Sequence, residues 1–130
     1  MAENRTATPL VIWYNTLCPV CKTGIDVQTR LMREAVRSGT VEFRDINENL
    51  DVLEQLGASL EEVRKRLHAR TSDGRVLKGA EVVQEVMRCT PGFSVVGKSM
   101  SLPGLSQLSG AAYDGFAELL YATNRRAGRW

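Results

Sequence analysis

The feature that most confines this chain is a strand joined to a helix through a pair of cysteines. Leu10-Val11-Ile12-Trp13-Tyr14 is continuously apolar and rich in β-branched and aromatic side chains, the pattern of a strand buried on both faces. From Val20 to about Arg37, Ile25, Met32 and Val36, with Val27, Leu31 and Ala35 beside them, recur at helical spacing and predict one amphipathic face. Ser38-Gly39 ends that helix, and Thr40 to Ile46 alternates as a second strand. Strand, helix and strand joined this tightly predict a right-handed βαβ unit with parallel strands.

Further along, Asn47 to Gly57 suits one or two helical turns around Val52, Leu53 and Leu56. Ser59-Leu60-Glu61-Glu62 has the S-x-x-E form of a capping box and predicts a short helix from Ser59 to about Arg66. Leu67 to Thr71 and Arg75 to Lys78 flank Ser72-Asp73-Gly74, a hairpin signal. Ala80 to Cys89 carries Val82, Val83, Val86 and Met87 as another helical stripe, ended by Thr90-Pro91-Gly92. Phe93 to Met100 suits a short helix, Leu102-Pro103-Gly104 a turn, and Tyr113, Phe116, Ala117 and Leu120 the apolar face of a last helix, with a frayed basic tail from Arg125 to Trp130. The expected fold is therefore α/β: a thioredoxin-like βαβ–ββα core with a mixed sheet of about four strands flanked by helices, followed by a helical extension. The 130 residues suit a single domain, with the core at about 9–90 and the appendix at about 91–126.

A net charge of +2, from 17 basic and 15 acidic residues, gives no footprint for nucleic acid. The segment Met1 to Thr8 is polar, without the apolar run of a signal peptide, and no stretch reaches the roughly 20 apolar residues of a membrane span. The expectation is a cytoplasmic protein. Three cysteines do not make a disulfide framework. Cys18 and Cys21 form a C-x-x-C pair, whereas Cys89 stands alone.

The pair opens the first predicted helix. A helix amino terminus presents unpaired N–H groups and a positive dipole end, which favour a thiolate over a thiol at Cys18. Thiolate is the attacking species in disulfide exchange. Pro19 falls at the first helical position, where its missing N–H costs nothing, and it stiffens the loop. Cys21 lies one turn along, within reach of a mixed disulfide on Cys18, and Lys22 adds a positive charge. The alternatives are an inert pair or half of a zinc site, since C-x-x-C is also a metal-knuckle spacing. The only further soft ligands are His68 and Cys89. The redox reading is preferred, and it requires no metal or organic cofactor.

Taken in order, the apolar strand ending in Tyr14, Cys18-Pro19-Val20-Cys21, Phe43-Arg44-Asp45-Ile46, Leu67-His68, Asp73-Gly74, Gly79-Ala80 and a terminal helix closing with Asn124-Arg125-Arg126 resemble the DCC-type thiol-disulfide oxidoreductases. The resemblance, from about Leu10 to Arg126, implies a thioredoxin-like fold and a protein or small-molecule thiol or disulfide as substrate. The family's hallmark aspartate, three residues before the first cysteine, is here Asn15, which can cap and hydrogen-bond but cannot take up a proton. A turn-forming role survives that change; a proton-accepting role does not. Arg66-Leu67-His68-Ala69 also lacks the proline that many thioredoxin-like proteins set before the hairpin strand, which argues against glutathione binding of the glutaredoxin type. His68 is the candidate to fill that place as a proton donor or thiolate partner, or it is an ordinary strand histidine.

Cys18 as nucleophile, Cys21 as resolving thiol, Pro19 as redox tuner, and Asn15 and His68 in support make up the expected catalytic set. Cys89 is expected in the core, Trp13 in the core beside the dithiol, Asp26 on a solvated helix face, and the apolar stretch from Phe93 to Leu108 over one face of the sheet. Arg125, Arg126 and Arg129 are too few to define an anionic docking surface.

Overall fold

The computed structural model describes residues 9–130; the polar segment Met1 to Thr8, read above for a leader, lies outside them. Four strands form one mixed sheet in the order β2, β1, β3, β4. Strand β1 (Leu10–Tyr14) pairs in parallel with β2 (Val41–Asp45) and antiparallel with β3 (His68–Arg70), which pairs antiparallel with β4 (Val76–Lys78). The parallel pair needs a crossover, supplied by α1 (Pro19–Leu31) and α2 (Arg33–Arg37). Two 3₁₀ turns (Ile46–Glu48 and Leu50–Val52), α3 (Leu53–Leu56) and α4 (Leu60–Lys65) lead to the hairpin, and α5 (Ala80–Cys89) follows it. The order is thioredoxin-like, extended by α6 (Ser94–Met100) and α7 (Leu105–Arg126).

Alternation along β1 divides the core between the two faces of the sheet. Leu10 and Ile12 meet Met32, Val41, Ala69, Leu77, Val82 and Val86 on the face covered by α1 and α5. Val11 and Trp13 meet Ile46, Val52, Leu56 and Val63 on the other, under the 3₁₀ turns, α3 and α4. Because β1 is the central strand of this pair of clusters, it is buried on both sides, as its composition predicts. Ser59 and Glu62 close the expected capping box at α4: Ser59 Oγ accepts the Glu62 N–H at 3.1 Å and the Glu62 carboxylate accepts the Ser59 N–H at 2.8 Å.

Four expectations need correction. The helix read as continuous from Val20 to Arg37 breaks at Met32 (φ −107°, ψ 30°), whose side chain turns into the core while Val27 and Leu31 stay exposed. Cys89 is exposed at the end of α5; the buried plug there is Thr90, whose hydroxyl accepts from Gln28 Nε2 and donates to the Val86 carbonyl, both at 2.6 Å. The stretch from Phe93 to Leu108 does not cover the sheet. In α6 only Gly97 is buried, because α6 approaches α5 so closely that a Cβ at Gly97 would lie 2.5 Å from the Arg88 nitrogen; Val95, Val96, Leu102, Leu105 and Leu108 face outward. The tail is not frayed either, since α7 runs through Arg126, Asn124 is buried and accepts from Arg129, and Trp130 packs on Tyr121 with ring centroids 6.1 Å apart. Among the described residues no helix is long and apolar enough to cross a membrane.

Helix α7 is held to the core mainly by polar contacts. Tyr113 Oη accepts the Leu67 N–H at 2.9 Å. Arg66 pairs with Asp114 and Glu118, Lys65 with Glu118, and Glu61 accepts the Tyr121 hydroxyl. The Lys65 ammonium and the Tyr121 hydroxyl accordingly hold the Glu118 and Glu61 carboxyls below the usual range.

Candidate active site

The carboxyl end of β1 delivers the chain into a tight turn before α1. Asn15 shapes that turn: its Oδ1 accepts the Leu17 N–H at 3.1 Å, and its carbonyl accepts the Cys18 N–H at 3.2 Å. The same Oδ1 accepts from Asn47 Nδ2 at 2.8 Å, tying the turn to the segment after β2. Asp45, the last residue of β2, accepts the Thr16 hydroxyl at 2.7 Å and the Asn47 N–H at 3.1 Å. Partial burial pushes the Asp45 carboxyl up, but the hydrogen bonds from Thr16 and Asn47 outweigh it and hold the group below the usual carboxylate range.

Cys18 is the amino-terminal cap of α1. Its backbone is extended (φ −92°, ψ 112°), its Sγ accepts the Cys21 N–H at 3.3 Å, and Pro19 follows inside the first turn. A sulfur stands here where an oxygen usually caps. Cys18 is only 1 % exposed, while Cys21 is half-buried. Burial, then the neighbouring Cys18 sulfur, pushes the Cys21 thiol up to about 12, so Cys21 keeps its proton. Lys22 is turned to Asp26, at 3.2 Å on the exposed side of α1.

Beside the pair lies a cavity of about 470 Å³. Its walls come from Ile12 on β1, Cys21, Ile25 and Gln28 on α1, Val83, Val86 and Met87 on α5, and Tyr113 and Phe116 on α7, with Asn15 and the segment from Arg64 to Leu67 completing it. The structure therefore gathers Asn15, Pro19, Cys18 and Cys21 at one turn. It does not bring His68 there. His68 pairs with Trp13 across β1 and β3, so its side chain takes the Trp13 face, opposite to Ile12 and the cavity. Its Nδ1 lies 3.0 Å from the Arg66 carbonyl, and burial lowers its pKa below the ordinary histidine value. Of the two readings of His68, the dithiol-facing one does not fit this strand parity, which turns Leu67 to the cavity and leaves His68 as a strand histidine. Cys89 borders a separate cleft with Leu10 and Thr40, at the opposite end of β1. Neither soft residue joins the pair, and among the described residues no three His, Cys, Asp or Glu side chains converge on one point.

Tyr113 is the site residue that sequence reasoning missed, counted only as part of an apolar helix face. Burial pushes its hydroxyl up to about 12, with the Leu67 N–H working against that rise. A hydroxyl on an otherwise wholly apolar stripe was the available signal.

A model of the DCC1-like thiol-disulfide oxidoreductase family matches residues 12–126, and the chain belongs to that family. No curated protein and no solved structure matches it.

Proposed function

We propose that this protein exchanges a dithiol for a disulfide, with Cys18 as nucleophile and Cys21 as resolving thiol. The observation that carries the reading is the Cys18 sulfur capping α1 at 3.3 Å from the Cys21 N–H, one turn from the Cys21 thiol. This sulfur stands at the start of a 13-residue helix, where an attacking thiolate would meet an N–H donor and the positive end of the helix dipole.

The Cys18 thiolate attacks one sulfur of the substrate disulfide. The substrate S–S bond breaks, and the first thiolate leaves and takes a proton from solvent. Cys21 then loses its proton and attacks the Cys18 sulfur of the mixed disulfide, releasing the second thiolate. Two electrons pass from the protein dithiol to the substrate, and the protein is left with a Cys18–Cys21 disulfide. Pro19 limits the backbone freedom of the loop in both forms, and Asn15 acts by holding the turn rather than by moving a proton. Since Cys18 is almost wholly covered, attack requires the turn from Asn15 to Cys18 to yield.

The test is a redox titration of the Cys89→Ser protein beside its Cys21→Ser and Cys18→Ser derivatives. A reversible two-electron couple in the first, and a mixed disulfide with an added model disulfide that accumulates only in the Cys21→Ser derivative, are expected. Dead thiols, or one bound zinc per chain, would sink the proposal in favour of a structural or metal-binding pair.

A further inference from the structure

We infer that the cavity beside Cys21 receives the uncharged, apolar arm of a small-molecule disulfide, with a hydrogen-bond acceptor on that arm taken by the Asn15 amide. This deepens the dithiol reading and rests on it.

Four observations converge on that ligand. First, about 470 Å³ with walls such as Ile12, Ile25, Phe43, Val86 and Met87 falls in the size and character of small-molecule sites, roughly 300–1,000 Å³. Cys21 stands in that wall, so an occupant lies against the resolving thiol, with Cys18 covered behind it until the turn yields.

Second, Asn15 is 2 % exposed and its Nδ2 has no partner among the described residues. The amide cannot be turned over to cure this, because Oδ1 already receives N–H groups from Leu17 and Asn47, and two more donors would then face a donor. Asn15 lines the cavity, so a ligand carbonyl that enters as the turn yields would give this donor the partner it lacks.

Third, the cations at the cavity are already matched. Arg64 bonds Asn47 and Glu61, Lys65 pairs with Glu118, and Arg66 pairs with Asp114 and Glu118. A disulfide bearing carboxylates would lose hydration there without gaining a counter-charge.

Fourth, the main chain beside the cavity is closed to a peptide. The Leu67 N–H goes to Tyr113 Oη, the Leu67 carbonyl accepts the Gly79 N–H at 2.8 Å, and the Arg66 N–H goes to the Glu62 carbonyl. An extended polypeptide substrate docks through such groups; here they are spent within the chain. A low-molecular-weight disulfide needs only the cavity and the acceptor.

The electron balance is that of the exchange above: one neutral disulfide becomes two thiols, and the reduced protein becomes the Cys18–Cys21 disulfide. A thiol reductant must restore the dithiol between turnovers.

The experiment is single-turnover oxidation of pre-reduced protein, which needs no such reductant. Bis(2-hydroxyethyl) disulfide serves as the reference, and the diacid 3,3′-dithiodipropionate is compared with its N-alkyl diamides of growing chain length. The rate constant should rise about fourfold for each CH2 that enters the cavity and be lowest for the diacid. Gly24 borders the cavity, and a Cβ there meets nothing within 4 Å, so the side chain of Gly24→Phe starts from open space and reaches into the cavity. It should abolish the chain-length dependence of the diamides. The thioether analogue of the best diamide, which cannot be reduced, should bind the reduced wild type in calorimetry and bind Asn15→Asp more weakly. If the reference disulfide oxidises the protein but diamides and diacid react alike and Gly24→Phe is without effect, this inference falls and the dithiol reading stands. If not even the reference oxidises the pair, both fall.

Discussion

From β1 through the crossover to β2 the apolar side chains Leu10, Ile12, Ile25, Met32 and Val41 turn inward and close the core; in α6 and α7 Val95, Leu105, Leu108 and Leu119 turn outward. Both regions carry apolar residues at helical or strand spacing. The difference lies in what each can pack against. The first unit lies on the sheet, which offers an apolar layer on its Ile12 face. The second lies outside that layer, which α1 and α5 cover, and holds on through a glycine contact at Gly97 and through the polar set of Tyr113, Arg66, Lys65 and Glu61. Periodicity reports that a helix has a face. It does not report whether a partner layer is free to receive it.

Truncation is the harshest way to break this contrast. Ile12→Ala removes a side chain with no exposure and should cost about 2–5 kcal/mol in denaturant unfolding; Leu108→Ala, at 66 % exposure, should change stability by under about 0.5 kcal/mol. An equal loss at both would mean that the outer stripe is covered after all. Gly97→Ala sets a methyl 2.5 Å from the Arg88 backbone nitrogen and should cost about 1–3 kcal/mol, whereas Gly110→Ala, with open space around it, should not destabilise.

Tyr113→Phe leaves the half-buried Leu67 N–H without its acceptor and should cost about 1–3 kcal/mol. The loss should show in hydrogen exchange as earlier opening of α7 than of β1. That ordering separates a lost polar tether from general weakening of the core.

The smallest effect concerns acid. Asp45 has its folded pKa depressed, with the hydrogen bonds from Thr16 and Asn47 outweighing burial. A depressed carboxylate adds stability that is present above its unfolded pKa, about 3.9, and is lost as pH falls through the lower folded value. The acid limb of the stability curve below about pH 4 should therefore be shallower in Asp45→Asn. Because the same bonds anchor Thr16, that variant should also be alkylated faster at Cys18 at neutral pH. An unchanged alkylation rate would show that the turn does not gate the thiol.

Much of the framework was legible along the chain. The β-branched run of β1, the Ser59–Glu62 capping box, the Asp73-Gly74 turn and the Cys18-Pro19 helix start each rest on contacts among neighbours a few residues apart. Those contacts survive whatever else the fold does. The misreadings have a common origin. Cys89 and Thr90 stand side by side, yet only Thr90 finds Gln28, 62 residues away. His68 and Leu67 are likewise adjacent, and the pairing of β3 with β1 alone decides which of them faces the dithiol.

By itself, then, the sequence determined that Cys18 and Cys21 sit one turn apart at the start of a helix after a buried strand, because capping, proline geometry and helical pitch act over a few residues. Tertiary structure alone decided that Cys18 is covered while Cys21 borders a cavity, that Asn15 is left with an unpaired donor, and that Tyr113 rather than His68 joins them. Those outcomes depend on strand register and on the layer each helix finds unoccupied, and no local pattern encodes either.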